Sequence, residues 1–149
     1  MQVDINKILN ELTILPEYDK QIMLQGVDGQ KDPFYGIGRS IDYAFEEQDF
    51  INPLFDMPYT NKIIKDLKMF RTRVMKLKSH SCYSYHKDQT PRIHIPLITN
   101  DKCFFILDKE IIILQPGQTY YIDTRIPHTA LNGSPIPFDR IHIVGCVDA

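Results

Sequence analysis

The sequence has few cysteines, no long apolar run and no excess of charge of either sign. No apolar run approaches the ~20 residues that a membrane span needs, so we expect no membrane partner. Seventeen basic and 19 acidic residues give a net charge of −2, and no basic block marks a nucleic-acid-binding surface. The three cysteines, Cys82, Cys103 and Cys146, form no CxxC pair, so we interpret them as reduced thiols. The Met1–Lys7 segment lacks the basic and apolar parts of a signal peptide, which predicts a cytoplasmic protein.

A length of 149 residues with 43% hydrophobic content predicts one domain over residues 1–149. Residues 1–70 have the pattern of helices and loops that support the remainder and contribute to substrate binding. The spacing of apolar residues predicts a helix over residues 4–14, capped by Asp4, and a second helix that Thr60 caps. A short strand is expected over residues 21–25.

From residue 71 onward the pattern is that of strands. About eight short segments with turn signals between them predict an antiparallel barrel or a double-sheet jelly roll, the double-stranded β-helix of cupin-like proteins. The open mouth of such a roll is a natural place for a small-molecule or metal site. The predicted strands cover residues 71–78, 82–86, 92–98, 103–107, 111–114, 119–123, 129–131 and 140–147.

Three residues of the predicted roll have the types that bind a transition metal. His86 and Asp88 are two residues apart, so on an extended strand they face the same side. His128, at the start of a later strand, would complete a set of two histidines and one carboxylate, which leaves open positions on Fe(II). When it occurs alone, a His-x-Asp pair is usually a pair of surface residues. A histidine that occurs alone in a loop is usually a hydrogen-bonded structural residue. Their combination in a predicted roll favours the metal.

Other polar residues surround this set. Arg140, at the start of the last strand, can hold a carboxylate through two parallel hydrogen bonds, although an arginine on a solvated strand edge is the alternative. Arg92 and His94, again two apart, are candidates for binding a carboxylate of the cosubstrate or of the substrate. We interpret His80 as a turn residue. His142 is either a group that supports the site near Arg140 or a hydrogen-bonded histidine of the core.

Residues 26–40 are rich in turn signals, as a binding loop or lid often is. Arg39, Asp42 and Tyr43 are therefore candidates for substrate contact, with a solvated loop as the alternative.

The segment from about residue 71 to 147 resembles the aspartyl/asparaginyl β-hydroxylase family of Fe(II)- and 2-oxoglutarate-dependent oxygenases. The matching motifs are His86-Lys87-Asp88, Arg92-Ile93-His94-Ile95-Pro96-Leu97, Cys103-Phe104-Phe105, Gln115-Pro116-Gly117, Tyr121-Ile122-Asp123-Thr124-Arg125, Pro127-His128 and Arg140-Ile141-His142. The resemblance implies that His86, Asp88 and His128 bind iron. It also implies that Arg140 holds the C5 carboxylate of 2-oxoglutarate, with Arg92 and His94 at the other end of the cosubstrate or at the substrate.

The reaction implied is hydroxylation of an unactivated C–H of an amino acid or a peptidyl side chain, with O2 consumed and succinate and CO2 released. Some members lack the carboxylate ligand. Asp88 brings this chain nearer the bacterial members, which include enzymes that hydroxylate free proline. Two alternatives are a cupin-like metal or small-molecule binding domain without oxygen chemistry, and an interaction module that has lost turnover.

Overall fold

The structure is a computed structural model that describes residues 1–149, with two α-helices and eleven short strands. The helices are α1 (Ile5–Leu12) and α2 (Pro58–Asp66), and two 3₁₀ turns cover Ser40–Asp42 and Glu47–Asp49. The strands are β1 (Gln21–Met23), β2 (Gln25–Gly26), β3 (Asn52–Pro53), β4 (Phe70–Leu77), β5 (Ser81–Cys82), β6 (Arg92–Ile98), β7 (Cys103–Leu107), β8 (Glu110–Ile112), β9 (Tyr120–Ile122), β10 (His128–Asn132) and β11 (Arg140–Cys146). Neither helix has the length and apolar character that crossing a membrane requires.

Two antiparallel sheets form the two layers of the roll. One has the strand order β1-β4-β11-β6-β9 and the other the order β5-β10-β7-β8. From β4 to β11 the chain passes back and forth between them, which is the connectivity of a double-stranded β-helix. Leu77 and Ile122 of the first sheet pack with Phe105 and Ala130 of the second in one buried cluster. The predicted jelly-roll fold is confirmed.

The five-stranded sheet has an apolar outer face and an inner face that carries both polar and apolar residues. Val74, Ile95 and Ile143 on its outer face pack against Ile8 of α1 and Ile63 of α2 in the main core cluster. Because side chains alternate along a strand, the neighbours of these residues point the other way, into the roll. The inner face includes six buried polar residues: Arg71 and Arg73 on β4, Arg92 and His94 on β6, and Arg140 and His142 on β11.

Helix α2 begins earlier than predicted, and the prediction that Thr60 caps it is wrong. Proline suits the first position of a helix, and α2 starts at Pro58. The N-cap residue, Met57, makes no side-chain cap. Instead the carboxylate of Glu11, on α1, accepts hydrogen bonds from the backbone N–H groups of Tyr59 (2.9 Å) and Thr60 (2.7 Å). The cap therefore comes from a neighbouring helix, which no local pattern could indicate.

Several other elements match their predictions. Helix α1 is capped by Asp4, whose carboxylate accepts from the backbone N–H of Lys7 at 3.2 Å. Strands β6 and β7 have their predicted bounds. The strand expected over residues 21–25 is divided at Leu24, because β1 pairs with β4 while β2 pairs with β3.

The strand predicted over residues 82–86 is shorter in the structure. Regular pairing ends at Cys82, where β5 meets β10. Beyond it, His86 makes one isolated antiparallel bridge to His128, with N···O distances of 3.0 and 2.9 Å. This bridge brings two of the predicted site residues together.

Candidate functional site

His86, Asp88 and His128 lie together at the end of the roll. Their ligand atoms all lie within 4.8 Å of one another. The Nε2 atoms of His86 and His128 are each 3.4 Å from an oxygen of the Asp88 carboxylate. His86 is exposed, Asp88 half-buried and His128 buried, so the group faces the opening of the roll. The arrangement is a possible site for a metal ion.

Backbone carbonyls fix the orientation of both imidazoles. The Ser84 carbonyl accepts from Nδ1 of His86 at 2.6 Å, and the Ile126 carbonyl accepts from Nδ1 of His128 at 2.9 Å. A carbonyl can only accept, so Nδ1 carries the proton in each ring. In the neutral rings Nε2 then offers a lone pair to the centre of the group. Such outer hydrogen bonds are typical of metal-binding histidines.

The electrostatics of the group favour an ionised carboxylate. Burial acts to raise the pKa of Asp88, but a hydrogen bond from Nε2 of His128 in its protonated form and the nearby Arg92 charge bring it well below its usual range. The Nε atom of Arg92 is 3.5 Å from Asp88. Burial lowers the pKa of His128, but the interaction with Asp88 raises it overall. Asp88 is therefore available as an anionic ligand at neutral pH.

A cavity of about 650 Å³ opens beside the three residues. Its walls come from both sheets and from the loop that precedes β3. The polar inner residues of β4, β6 and β11 other than His142 line it, together with a few apolar side chains. The acidic side chain in the lining is Asp88, and the basic ones are Arg39, Arg71, Arg73, Lys87, Arg92 and Arg140. The cavity is therefore suited to anionic ligands.

Arg140 is buried without an acidic partner. Its side chain is 3% exposed, and its Nε has no hydrogen-bond partner. The ring of Tyr83 lies 5.9 Å from the guanidinium. Burial lowers the pKa of Arg140, yet an arginine stays charged at neutral pH. A buried, unpaired charge is costly, so the position is suited to an anion.

Arg92 differs from Arg140 because it already has a carboxylate partner, Glu47. Glu47 is 2% exposed, and its Oε2 atom lies 3.1 Å from Nη2 of Arg92 and 3.1 Å from Nη1 of Arg71. Arg92 also donates to the Thr90 carbonyl at 2.8 Å. The two arginines and Glu47 form a buried charge cluster at one end of the cavity.

His94 and His142 form a hydrogen-bonded pair behind the cavity wall, with 3.1 Å between their Nδ1 atoms. Burial lowers the pKa of His94 to about 3 and that of His142 well below its usual value, so both rings are neutral. The Nε2 of His142 has no partner. An unpaired lone pair is tolerated better than an unpaired N–H, so His142 donates from Nδ1. His94, which lines the cavity, then carries its proton on Nε2 and can donate to an anion there.

Of the three loop residues predicted to contact the substrate, only Arg39 lies at the cavity. Arg39 lines the cavity mouth, where it is largely exposed and pairs with Asp42 at 3.2 Å. Asp42 and Tyr43 do not line the cavity. The Tyr43 hydroxyl donates to the Ile37 carbonyl at 2.6 Å, which stabilises the loop. His80 is exposed in a turn with φ of 59°, as predicted.

Four residues of the cavity region escaped the sequence reasoning. Arg71 and Arg73 are two apart on β4, so the alternation used for His86 and Asp88 could have found them. Glu47 and Gln21 lie in distant segments, and nothing in the local sequence marks them as partners of these arginines.

Comparisons with known proteins point to one family. The model for aspartyl/asparaginyl β-hydroxylase matches residues 42–145. Among curated proteins, the chain is similar to the L-proline cis-4-hydroxylase of Rhizobium meliloti (strain 1021), with 26% identity over 98 residues. That match covers 59% of this chain and 34% of the relative. The chain therefore spans about a third of the length of this curated relative.

Among solved structures, the similar chains include cupin domains. One from Shewanella frigidimarina has a TM-score of 0.41 and 17% identity, covering 52% of this chain and 70% of that one. Another from Bordetella pertussis has a TM-score of 0.44 and 12% identity, and the match covers 53% of this chain and 81% of that one. The likeness extends over about half of this chain.

Proposed function

The chain belongs to the aspartyl/asparaginyl β-hydroxylase family, and from this membership we propose that it is an Fe(II)- and 2-oxoglutarate-dependent dioxygenase. Its substrate is an amino acid or a peptidyl side chain, of which it hydroxylates an unactivated C–H. The observation that carries the proposal is the convergence of His86, Asp88 and His128 at the mouth of a basic cavity.

The donor set fits iron. Two imidazoles and one carboxylate are the ligand types of the facial triad of Fe(II) oxygenases, which keeps other positions open. Each Nε2 lone pair faces the group, and the carboxylate of Asp88 is ionised. Arg92 contacts Asp88 from the side, which restrains the carboxylate. We therefore assign His86, Asp88 and His128 as the residues that would hold the metal.

The cavity fits a dicarboxylate cosubstrate. Arg140 has a buried guanidinium with no acidic partner, so it would hold the C5 carboxylate of 2-oxoglutarate. His94 would donate from Nε2 to the other end of the cosubstrate. Arg92 remains a candidate for that end, although it already contacts the carboxylates of Glu47 and Asp88. When bound, the metal with 2-oxoglutarate and O2 supplies the oxidising power for hydroxylation, with release of succinate and CO2.

The remaining residues shape and shield the site. Met75, Phe105 and Val144 provide apolar contact surface between the polar groups, which limits the access of water to the target carbon. The family and the name of the curated relative support an amino acid or peptidyl substrate. We also propose that the enzyme works in the cytoplasm.

The test is turnover of 2-oxoglutarate. Purified protein with Fe(II), 2-oxoglutarate and a panel of amino acids and peptides should release succinate, and the substrate should gain one oxygen by mass spectrometry. His86→Ala should abolish both and lower the bound metal. His80→Asn is the control, because asparagine tolerates the positive φ of that turn.

An absence of 2-oxoglutarate turnover, coupled or uncoupled, together with unchanged metal content in His86→Ala, would contradict the proposal. Metal binding that depends on His86 without any turnover would instead favour a cupin-like binding domain.

A further inference from the structure

Arg73 is a second buried arginine in the cavity wall that has no acidic partner. It is 5% exposed, and its Nε has no hydrogen-bond partner. Its two hydrogen bonds are both made by Nη1, to Oε1 of Gln21 at 3.1 Å and to the Gly38 carbonyl at 3.5 Å. Both acceptors are neutral. No carboxylate lies within 4.0 Å of the guanidinium of Arg73, and the same is true of Arg140.

Arg73 and Arg140 occupy different parts of the cavity. In the sheet, Arg73 pairs with Val144, and Val144 pairs with His94, so these three form one row across β4, β11 and β6. Arg140 lies four residues before Val144 on β11, about 13 Å along the strand. The neighbours differ as well, since Arg140 lies beside Tyr83 while Arg73 lies beside Gln21 and Gly38. The cavity thus has two separate positions for an anion.

The Arg73 position is organised by the loop that covers it. Oε1 of Gln21 accepts from Arg73 and also from the backbone N–H of Gly38 at 3.1 Å. The Gly38 carbonyl in turn accepts from Arg71 at 2.8 Å. These bonds fix the Arg73 guanidinium and the start of the loop relative to each other. A ligand at Arg73 would also be near Arg39 at the mouth.

We propose that Arg73, held by Gln21 and Gly38, binds a carboxylate of the substrate. The inference rests on the proposed function, in which Arg140 holds the cosubstrate and Arg73 is left for the substrate. It narrows the substrate class to carboxylic acids, such as a free amino acid or an aspartyl side chain. Asparaginyl side chains and prolyl residues within a peptide have no carboxylate to place against Arg73, so they would bind poorly in the cavity. A cavity of about 650 Å³ has room for a small acid beside the cosubstrate.

The experiment compares each acid with its amide. One pair, L-proline and L-prolinamide, probes a free α-carboxylate. The other pair, the N-methylamides of N-acetyl-aspartate and N-acetyl-asparagine, probes a side-chain carboxylate. Dissociation constants are measured by calorimetry on the full chain with Fe(II) and 2-oxoglutarate in the absence of O2. At least one acid should bind tenfold or more tightly than its amide, and Arg73→Gln should abolish that preference.

The variants keep the test independent of folding. Arg73→Gln should leave the dissociation constant of 2-oxoglutarate within twofold of the wild type, whereas Arg140→Gln should raise it. Arg73→Lys keeps the charge but loses the planar fork, so it should retain part of the preference for the acid. Arg125→Gln is the matched control, since Arg125 is exposed outside the cavity and pairs with Asp123.

Two outcomes overturn the inference: wild-type protein that prefers neither acid, or a preference that survives in Arg73→Gln. A preference that Arg73→Gln abolishes, without succinate release by the wild type, would support the carboxylate position and contradict the oxygenase. Succinate release by the wild type, with the preference for the acid unchanged in Arg73→Gln, would support the oxygenase and contradict the carboxylate position at Arg73.

Discussion

Glu47 is the residue whose replacement tests the electrostatics of the cavity most directly. Its buried carboxylate lies 3.1 Å from both Arg71 and Arg92. Glutamine has nearly the same shape but no charge, so Glu47→Gln leaves Arg71 buried without an anion and leaves Arg92 with the Asp88 carboxylate alone, 3.5 Å from its Nε. Removing one partner of a buried ion pair costs about 3–5 kcal/mol, because the remaining charge is uncompensated.

We expect Glu47→Gln to lower the free energy of unfolding by about 3–5 kcal/mol. This is a large part of the roughly 5–15 kcal/mol that stabilises a typical domain. For a chain of this size, each kcal/mol lowers the melting temperature by about 2–4 °C. The expected decrease is therefore about 6–20 °C, measured by thermal and urea unfolding of the metal-free protein. Glu17→Gln, on an exposed segment, should change little.

A double-mutant cycle separates charge from packing. If Glu47 acts by compensating charge, then Arg71→Gln should cost less in the Glu47→Gln background than in the wild type. A loss below about 1 kcal/mol in Glu47→Gln would refute the reasoning, because that is the scale of an exposed ion pair. Additive effects of the two substitutions would refute it as well.

Three further predictions concern stability and metal binding. Glu11→Ala should lower the free energy of unfolding by about 1 kcal/mol at pH 7, because Glu11 caps α2. Burial acts to raise the pKa of Glu11, but the cap hydrogen bonds lower it overall. The loss of stability measured by urea unfolding should therefore persist above the ordinary pKa of 4.5 and shrink as the pH falls through the lowered pKa. A loss of stability that does not depend on pH would contradict the cap. Asp88→Asn should weaken Fe(II) binding at least tenfold in competition with a chelator, with the exposed Asp101→Asn as the control, and equal affinities would exclude Asp88 as a ligand. Gly145→Ala should cost about 1–3 kcal/mol in thermal unfolding, because its Cβ would lie 2.3 Å from the Cε of Met69, 2.8 Å from Oγ1 of Thr72 and 3.0 Å from the Cβ of Met69, and a neutral effect would contradict a tight contact at this position.

The sequence predicts the roll and its strands because both rest on local patterns. The bounds of β6 and β7 follow from runs of alternating and apolar residues between turn signals. The spacing of His86 and Asp88 predicts their approach for the same reason, because side chains two residues apart lie on the same face of an extended segment. The approach of His128 depends on a bridge between distant segments, so its prediction rests on the roll as a whole and on the ligand type of the residue, and the family resemblance implies the same three ligands.

What the sequence does not reveal is how the charges pair. Glu47 lies 45 residues before Arg92 in the chain, in a 3₁₀ turn of the loop region. Its partnership with two arginines is a tertiary contact with no periodic signal. The cap that Glu11 provides to α2 is hidden for the same reason, since Tyr59 lies 48 residues after Glu11. Both cases involve an acidic side chain that appears from the sequence to be an ordinary surface residue.

The charge pairing, more than the metal ligands, distinguishes the roles of the arginines on the inner face. Four arginines lie on β4, β6 and β11, and they differ little in sequence context. Glu47 and Asp88 together compensate Arg71 and Arg92, so these two arginines stabilise the wall and restrain Asp88 and the loop. Arg73 and Arg140 have no such partner and are therefore available to ligands. A cosubstrate with a distal carboxylate and a substrate with one of its own would together supply the two missing anions.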